Sequence, residues 1–155
     1  MLEPLANPFI AVSKKYLNAL SKMVAQLSID RYHYVLILID SNDENLTQKA
    51  LAEILHIDKS YMVTILDYLE ERGYVMREKN PQDRREQLIR LTEKAQSCIP
   101  IIRQAIKELN EMAFHNICES NKQIFNEVLT TIQYNLIDIT PDLEEKTHSI
   151  LKNYN

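Results

Sequence analysis

The sequence predicts a mainly α-helical fold with a small β-hairpin wing that follows a helix-turn-helix. Three observations predict it. The 155 residues include a single glycine, Gly73, whereas all-β and nucleotide-binding α/β folds rely on glycine for tight turns and for backbone approach to phosphate. Apolar residues recur at spacings of three and four through most of the chain and give way to strand-length segments only between Tyr74 and Leu91. Polar stretches carrying capping residues separate the segments.

The first helix is expected from about Pro8 to Leu27, with Phe9, Val12, Tyr16, Leu20, Met23 and Leu27 on one stripe. Asp30 is the expected N-cap of a second helix that runs to about Asp40 and is apolar on nearly all sides. After the polar loop Ser41 to Asn45, Thr47 caps a short helix, Gln48 to Leu55. His56-Ile57 is a tight turn, and Asp58 caps a helix over Lys59 to Arg72, with Gly73 as its C-terminal stop. Tyr74–Lys79 and Glu86–Leu91 are two strands joined by the turn-forming Asn80 to Arg85. Thr92 caps a long helix to about Glu119, with a kink or local restart expected at Pro100. Ser120 and Gln123 read as a capping box for a final helix, with a break expected near Ile139 ahead of Thr140-Pro141.

Composition narrows the function classes. An apolar fraction of 45% and a charged fraction of 26% suit one ordinary globular domain. No apolar run approaches the roughly 18 residues of a membrane span, so no membrane partner is expected. Met1-Leu2-Glu3-Pro4 lacks a signal-peptide pattern, and Cys98 and Cys118 form no CxxC pair. Both cysteines are expected to be free thiols acting as small buried hydrophobes in a cytoplasmic protein. No GxSxG, HExxH, P-loop or glycine-rich dinucleotide pattern occurs, so neither an enzyme nor a cofactor is expected. His33, His56, His115 and His148 lack metal spacing; Glu111, His115 and Glu119 would share a helical face, but no metal site is expected.

Net charge is −4, but it is unevenly placed. Arg72 to Lys94 carries seven basic residues against four acidic ones, and Glu108 to Glu145 carries eight acidic residues and one lysine. A basic middle and an acidic C-terminal region suggest one face for phosphate and another turned from it.

The order helix, helix, short helix, turn, helix, hairpin, long helix resembles the MarR (multiple antibiotic resistance regulator) family of winged helix-turn-helix transcriptional regulators. Thr47 to Leu55 looks like the first helix of its motif, Ile57-Asp58-Lys59-Ser60 like its turn, and Leu69 to Val75 like the end of its recognition helix. Asp83-Arg84-Arg85, followed by Ile89, Leu91 and Thr92, matches the wing signature D-x-R…I-x-L-T, and Ile29 to Tyr34 resembles the family's second helix. The resemblance implies a DNA-binding region over residues 30–95. It implies a dimerisation region over 1–29 and 96–155, the whole forming one intertwined homodimer on palindromic double-stranded DNA. It also implies a ligand-responsive repressor, with a small aromatic or anionic effector entering a crevice between the two regions.

Ser60, Tyr61 and Thr64 share a face of the expected recognition helix and are expected to reach bases or phosphates. Lys59 is expected to neutralise phosphate, and Thr47 and Gln48 to stand at the backbone. The resemblance sends Arg85 into the minor groove, with Asp83 holding its guanidinium and with Arg84 and Arg77 on phosphates. Tyr16, His33 and Tyr34 are candidates for the effector crevice, against the simpler expectation that they pack the core or an interface. Several positions depart from the family pattern: Val63-Thr64 stands where Thr-Arg is common, Tyr68 replaces another frequent arginine, His56 replaces a turn glycine, and Ala95-Gln96 replaces Lys-Gly. The weakly basic helix and acidic balance keep a second function open, a winged-helix protein-interaction module without DNA binding.

Overall fold

The structure, a computed structural model, describes residues 4–30, 32–42, 46–83 and 85–137. Its contacts divide the chain into two units, Met1–Met112 and Ala113–Asn155. In the first unit α1 (Ala6–Met23) passes through a 3₁₀ turn, Ala25–Leu27, into α2 (His33–Ser41). Then come α3 (Gln48–Ile54), α4 (Lys59–Glu71), the strands β1 (Val75–Lys79) and β2 (Gln87–Leu91), and α5 (Glu93–Ala113), whose last residue belongs to the second unit. The second unit contains α6 (Glu119–Ile137).

Local chemistry sets most of these boundaries. The Thr47 hydroxyl accepts from the Ala50 N–H at 3.1 Å and starts α3. The Asp58 carboxylate accepts from the Ser60 N–H at 2.7 Å and starts α4. Between them His56 adopts φ 49°, a left-handed conformation that histidine tolerates better than most side chains. Gly73, at φ 70°, ends α4. Its N–H donates to the Glu70 carbonyl at 2.8 Å and the Tyr74 N–H donates to the Leu69 carbonyl at 2.9 Å, the paired bonds of a Schellman stop. The Thr92 hydroxyl accepts from the Ala95 N–H at 3.2 Å and starts α5.

Three expected boundaries move. Asp30 does not cap α2; it sits at φ 57° in a turn with Ser28 at φ 53°, and Tyr32 takes the cap position. That turn is fixed by burial, because Ile29 and Tyr32 on either side of Asp30 both enter the core. α5 runs unbroken through Pro100 rather than restarting there, then ends at Ala113 instead of near Glu119. Asn116, left-handed at φ 63°, lies in the turn that follows. Glu119 therefore stands on α6, on a different helix from Glu111. Cys118, not Ser120, precedes α6: the Lys122 N–H donates to the Cys118 carbonyl at 3.2 Å. The break expected near Ile139 lies outside the described residues.

The main core of the first unit joins Val35, Leu36 and Ile39 of α2 to Leu51 of α3, to Met62, Ile65, Leu66 and Leu69 of α4, and to Val75, Ile89, Ile99 and Ile102. Each such side chain gains about 1.5–3 kcal/mol over exposure to water. The strands pair antiparallel with Val75 opposite Leu91 and Lys79 opposite Gln87. Thr47 forms an isolated bridge with Leu88, and the Ile89 N–H donates to the Leu46 carbonyl at 2.9 Å, which fastens the hairpin to the start of α3. A smaller cluster, Leu20 and Val24 against Ala105 and Leu109, holds α1 to α5. Within the second unit Phe114 and Phe125 meet edge to face at 6.2 Å.

Candidate nucleic-acid interface

Burial of Met62, Ile65, Leu66 and Leu69 on one face of α4 leaves Lys59, Ser60, Tyr61 and Thr64 exposed on the other. Tyr61 is 45% exposed. The Ser60 hydroxyl donates to Asp58 Oδ1 at 2.5 Å, and this bond, with the Ser60 and Tyr61 N–H groups, holds the Asp58 carboxyl below the usual carboxylate range. The Thr64 hydroxyl donates back to the Ser60 carbonyl at 3.3 Å, so its proton is engaged within the helix and its lone pairs and methyl remain for a partner.

The hairpin loop is shaped by its own side chains. Asn80 Oδ1 accepts from the Gln82 N–H at 2.9 Å, and Asn80 Nδ2 donates to the Glu86 carboxylate at 3.2 Å. Asp83 Oδ1 accepts from the Arg85 backbone N–H at 2.9 Å. Asp83 therefore fixes the turn on which Arg85 stands and does not hold its guanidinium; a carboxylate two residues before a backbone N–H closes a small ring readily. Arg85 is exposed. Arg84 lies outside the described residues.

Arg77 is placed differently from the expectation that it serves phosphate. Its guanidinium pairs with Asp67 Oδ1 at 2.6 Å and with Glu70 Oε2, and also donates to the Val63 carbonyl at 3.4 Å. The Arg77 side chain is only 14% exposed. Two carboxylates already neutralise it, and it ties β1 to three successive turns of α4. Other basic residues nearby are engaged as well. Arg90 pairs with Glu78 at 3.3 Å, Arg72 stacks 3.6 Å from the Tyr68 ring centre, and Lys94 donates to the Arg72 carbonyl at 2.6 Å.

Two cavities border this face. The first, about 370 Å³, lies where the start of α3, the start of α4 and the hairpin meet, and Thr47, Gln48, Lys59 and Arg85 from the expected set all line it, with Lys49 and Lys79 beside them. The second, about 450 Å³, is lined by Lys14 and Asn18 of α1, by Asp30, Tyr32 and Tyr34, and by Tyr61 of α4. Of the three residues expected at an effector crevice, Tyr34 lines this cavity and two do not. The Tyr16 hydroxyl donates to Asn110 Oδ1 at 2.6 Å and ties α1 to α5; burial pushes its pKa up. His33 is 1% exposed, and its Nε2 has no hydrogen-bond partner among the described residues. Burial lowers its pKa, with the Asp30 charge acting the other way. Periodicity signalled neither Tyr32 nor Tyr61 as a cavity residue, because the cavity arises where three separate segments meet.

Cys98 is buried as expected, but Cys118 is exposed at the start of α6, where the Ser120 hydroxyl and the Asn121 N–H hold its thiol below the usual range. Among the described residues no helix is long and apolar enough to cross a membrane, and no three acidic, histidine or cysteine side chains are grouped to hold a metal ion.

Comparison with known proteins agrees with this architecture. The chain is similar to a MarR family transcriptional regulator from a Rhodococcus species, with 25% identity and TM-score 0.70, covering 84% of this chain and 95% of that one. It is similar to the transcriptional repressor CouR bound to a 23-mer DNA duplex, with 23% identity and TM-score 0.73, covering 84% and 92%. It is also similar to CouR from Rhodococcus jostii bound to p-coumaroyl-CoA, with 24% identity and TM-score 0.71, covering 84% and 91%. Residues 27–87 match the model of the MarR family. Those residues run from the end of the 3₁₀ turn through α2, α3, α4 and β1 to the first residue of β2.

Proposed function

We propose that this chain is a sequence-specific, double-stranded DNA-binding transcriptional regulator that acts as a cytoplasmic homodimer on a palindromic operator. The observation that carries the reading is the first cavity: Lys59, at the start of the exposed helix α4, and Arg85, on the hairpin, flank the same concavity. A helix of this width fits the major groove, and an arginine on a neighbouring hairpin is suited to the minor groove or the backbone. On this reading Ser60, Tyr61 and Thr64 face base edges, Thr47, Gln48 and Lys59 meet the phosphate backbone, Arg85 acts from the wing, and Arg84 is a further candidate phosphate ligand. CouR, of similar fold, was solved on duplex DNA, which supports the reading. The chemistry is that of binding and needs no catalytic group.

A ligand-responsive repressor fits the second cavity. Tyr61 borders both that cavity and the exposed face of α4, so an aromatic, anionic ligand stacked among Tyr32, Tyr34 and Tyr61 and paired with Lys14 would hold Tyr61 away from DNA. The homodimer is supported by apolar side chains left in water: Phe9, Ile10 and Val12 on α1, and Ile124, Phe125 and Val128 on α6. A second copy of the chain is the natural cover.

Selection of duplexes from a random pool, followed by anisotropy at several salt concentrations, tests the reading. A regulator loses affinity with a log–log slope of about −0.9 per phosphate neutralised, and Arg85→Ala weakens the selected duplex by about 1–3 kcal/mol. Absence of any selected duplex at low salt would leave the protein-interaction module as the better description.

A further inference from the structure

The first cavity has a charge arrangement that the wing signature does not account for. Of the seven basic residues from Arg72 to Lys94, four are engaged inside the protein. Arg72 stacks on Tyr68, Arg77 pairs with Asp67 and Glu70, Arg90 pairs with Glu78, and Lys94 bonds a carbonyl. Arg84 is undescribed. The remaining two, Lys79 and Arg85, have no ion-pair partner among the described residues, and both line the first cavity. Lys59 joins them from α4 and is equally unpaired among the described residues. Lys49 joins from α3 with only a loose 3.9 Å pair to Glu53, both side chains well exposed. Four cations from three separate elements thus converge on one concavity, against a single carboxylate, Glu86, whose oxygen already accepts from Asn80.

Like charges gathered without a partner repel one another, and an anion in their midst removes that cost. Ammonium groups are mobile point donors, suited to a phosphate whose oxygens vary in position. The space, about 370 Å³, admits a phosphate group with its ester oxygens. Lys79 ends β1 opposite Gln87 of β2, in the last strand pair before the loop that carries Arg85.

We infer that this cavity is a phosphate seat in which Lys49 and Lys79, acting with Lys59 and Arg85, grip the duplex backbone between the groove entered by α4 and the groove entered by the wing. This inference rests on the DNA-binding reading and adds to it two contact residues and a place. The seat carries affinity and register but no sequence information, because phosphates are the same at every base pair.

The test uses the full chain and a labelled 30-base-pair duplex of random sequence, titrated at several salt concentrations. Lys79→Gln and Lys49→Gln should each make the log–log salt slope shallower by about 0.9. Their effects should be equal on random and selected duplexes. Lys79→Arg should restore the slope, and unchanged thermal melting should show that each variant is folded. A wild-type chain that binds duplex with a steep slope, while Lys79→Gln leaves that slope unchanged, overturns the seat but leaves the DNA reading standing. Absence of binding to any duplex overturns both. A parallel calorimetric titration with inorganic phosphate separates the sources: Lys79-dependent uptake of phosphate by a chain that ignores DNA would assign the seat to free phosphorylated molecules and overturn its assignment to the backbone.

Discussion

The buried winged half of the molecule and helix α6 present opposite solutions to the same problem. In the first, α4 turns Met62, Ile65, Leu66 and Leu69 into a shared core, and its outward face is polar. In the second, no described residue of α6 is buried, and Ile124, Phe125, Val128, Tyr134 and Leu136 stand in water. The first pattern is complete within one chain. The second exposes more apolar surface than a solitary helix tolerates well and is suited to a surface finished by another copy. The difference teaches where each kind of substitution should be felt: inside the winged half as folding stability, along α6 as assembly.

The largest effect should come from charging the assembly surface. Phe125→Asp combined with Val128→Asp removes two apolar side chains from each of two copies, about 6 kcal/mol of association at roughly 1.5 kcal/mol per side chain. Sedimentation at micromolar concentration should then show a monomer that keeps its helical circular dichroism. A dimer that persists would mean these side chains stay in water, and the contrast with α4 would fail.

Leu66→Ala, at a fully buried position, should cost about 3 kcal/mol in urea unfolding, since a cavity adds to the lost transfer energy. A cost near zero would show the core to be looser than its burial implies.

Arg77→Ala should cost less, roughly 1 kcal/mol of stability, because Asp67 and Glu70 are about half exposed and the pair is screened. Its signature lies elsewhere: the preference for selected over random duplex should fall while the salt slope stays unchanged. A slope shallower by about 0.9 would instead make Arg77 a phosphate ligand.

The smallest effect concerns His33. Burial lowers its pKa below the ordinary value of about 6.5, so the folded chain holds the imidazole neutral while the unfolded chain takes up a proton first. Where the unfolded state binds more protons, stability rises with pH. His33 should therefore leave stability intact above its unfolded pKa and reduce it as pH falls below that value. Urea midpoints measured across this range, with His33→Gln as the variant lacking the slope, check the sign.

Much of the fold was legible because it is written in local chemistry. Thr47, Asp58, Gly73 and Thr92 each fix a boundary through their own hydrogen bonds or dihedrals, and those bonds involve residues a few positions away. Asp30 misled because a good capping side chain says nothing about which neighbours the core needs; Ile29 and Tyr32 decided that turn. Arg77 misled for a related reason: its partners, Asp67 and Glu70, come within reach only after Gly73 folds the strand back along α4. Tyr61 of the second cavity is distant in sequence from Tyr32 and Tyr34, and the lysines of the first cavity belong to separate segments, so no spacing could group them.

The central claim is that helix α4 and the wing address one stretch of duplex. Iron-chelate cleavage tests it most directly, with the chelate attached through Tyr61→Cys or Arg85→Cys in a Cys118→Ser background that removes the exposed native thiol. Both attachment points should cut the same selected duplex, at sites within about one helical turn of each other. Cleavage from only one of them, or from neither while the duplex remains bound, would contradict it.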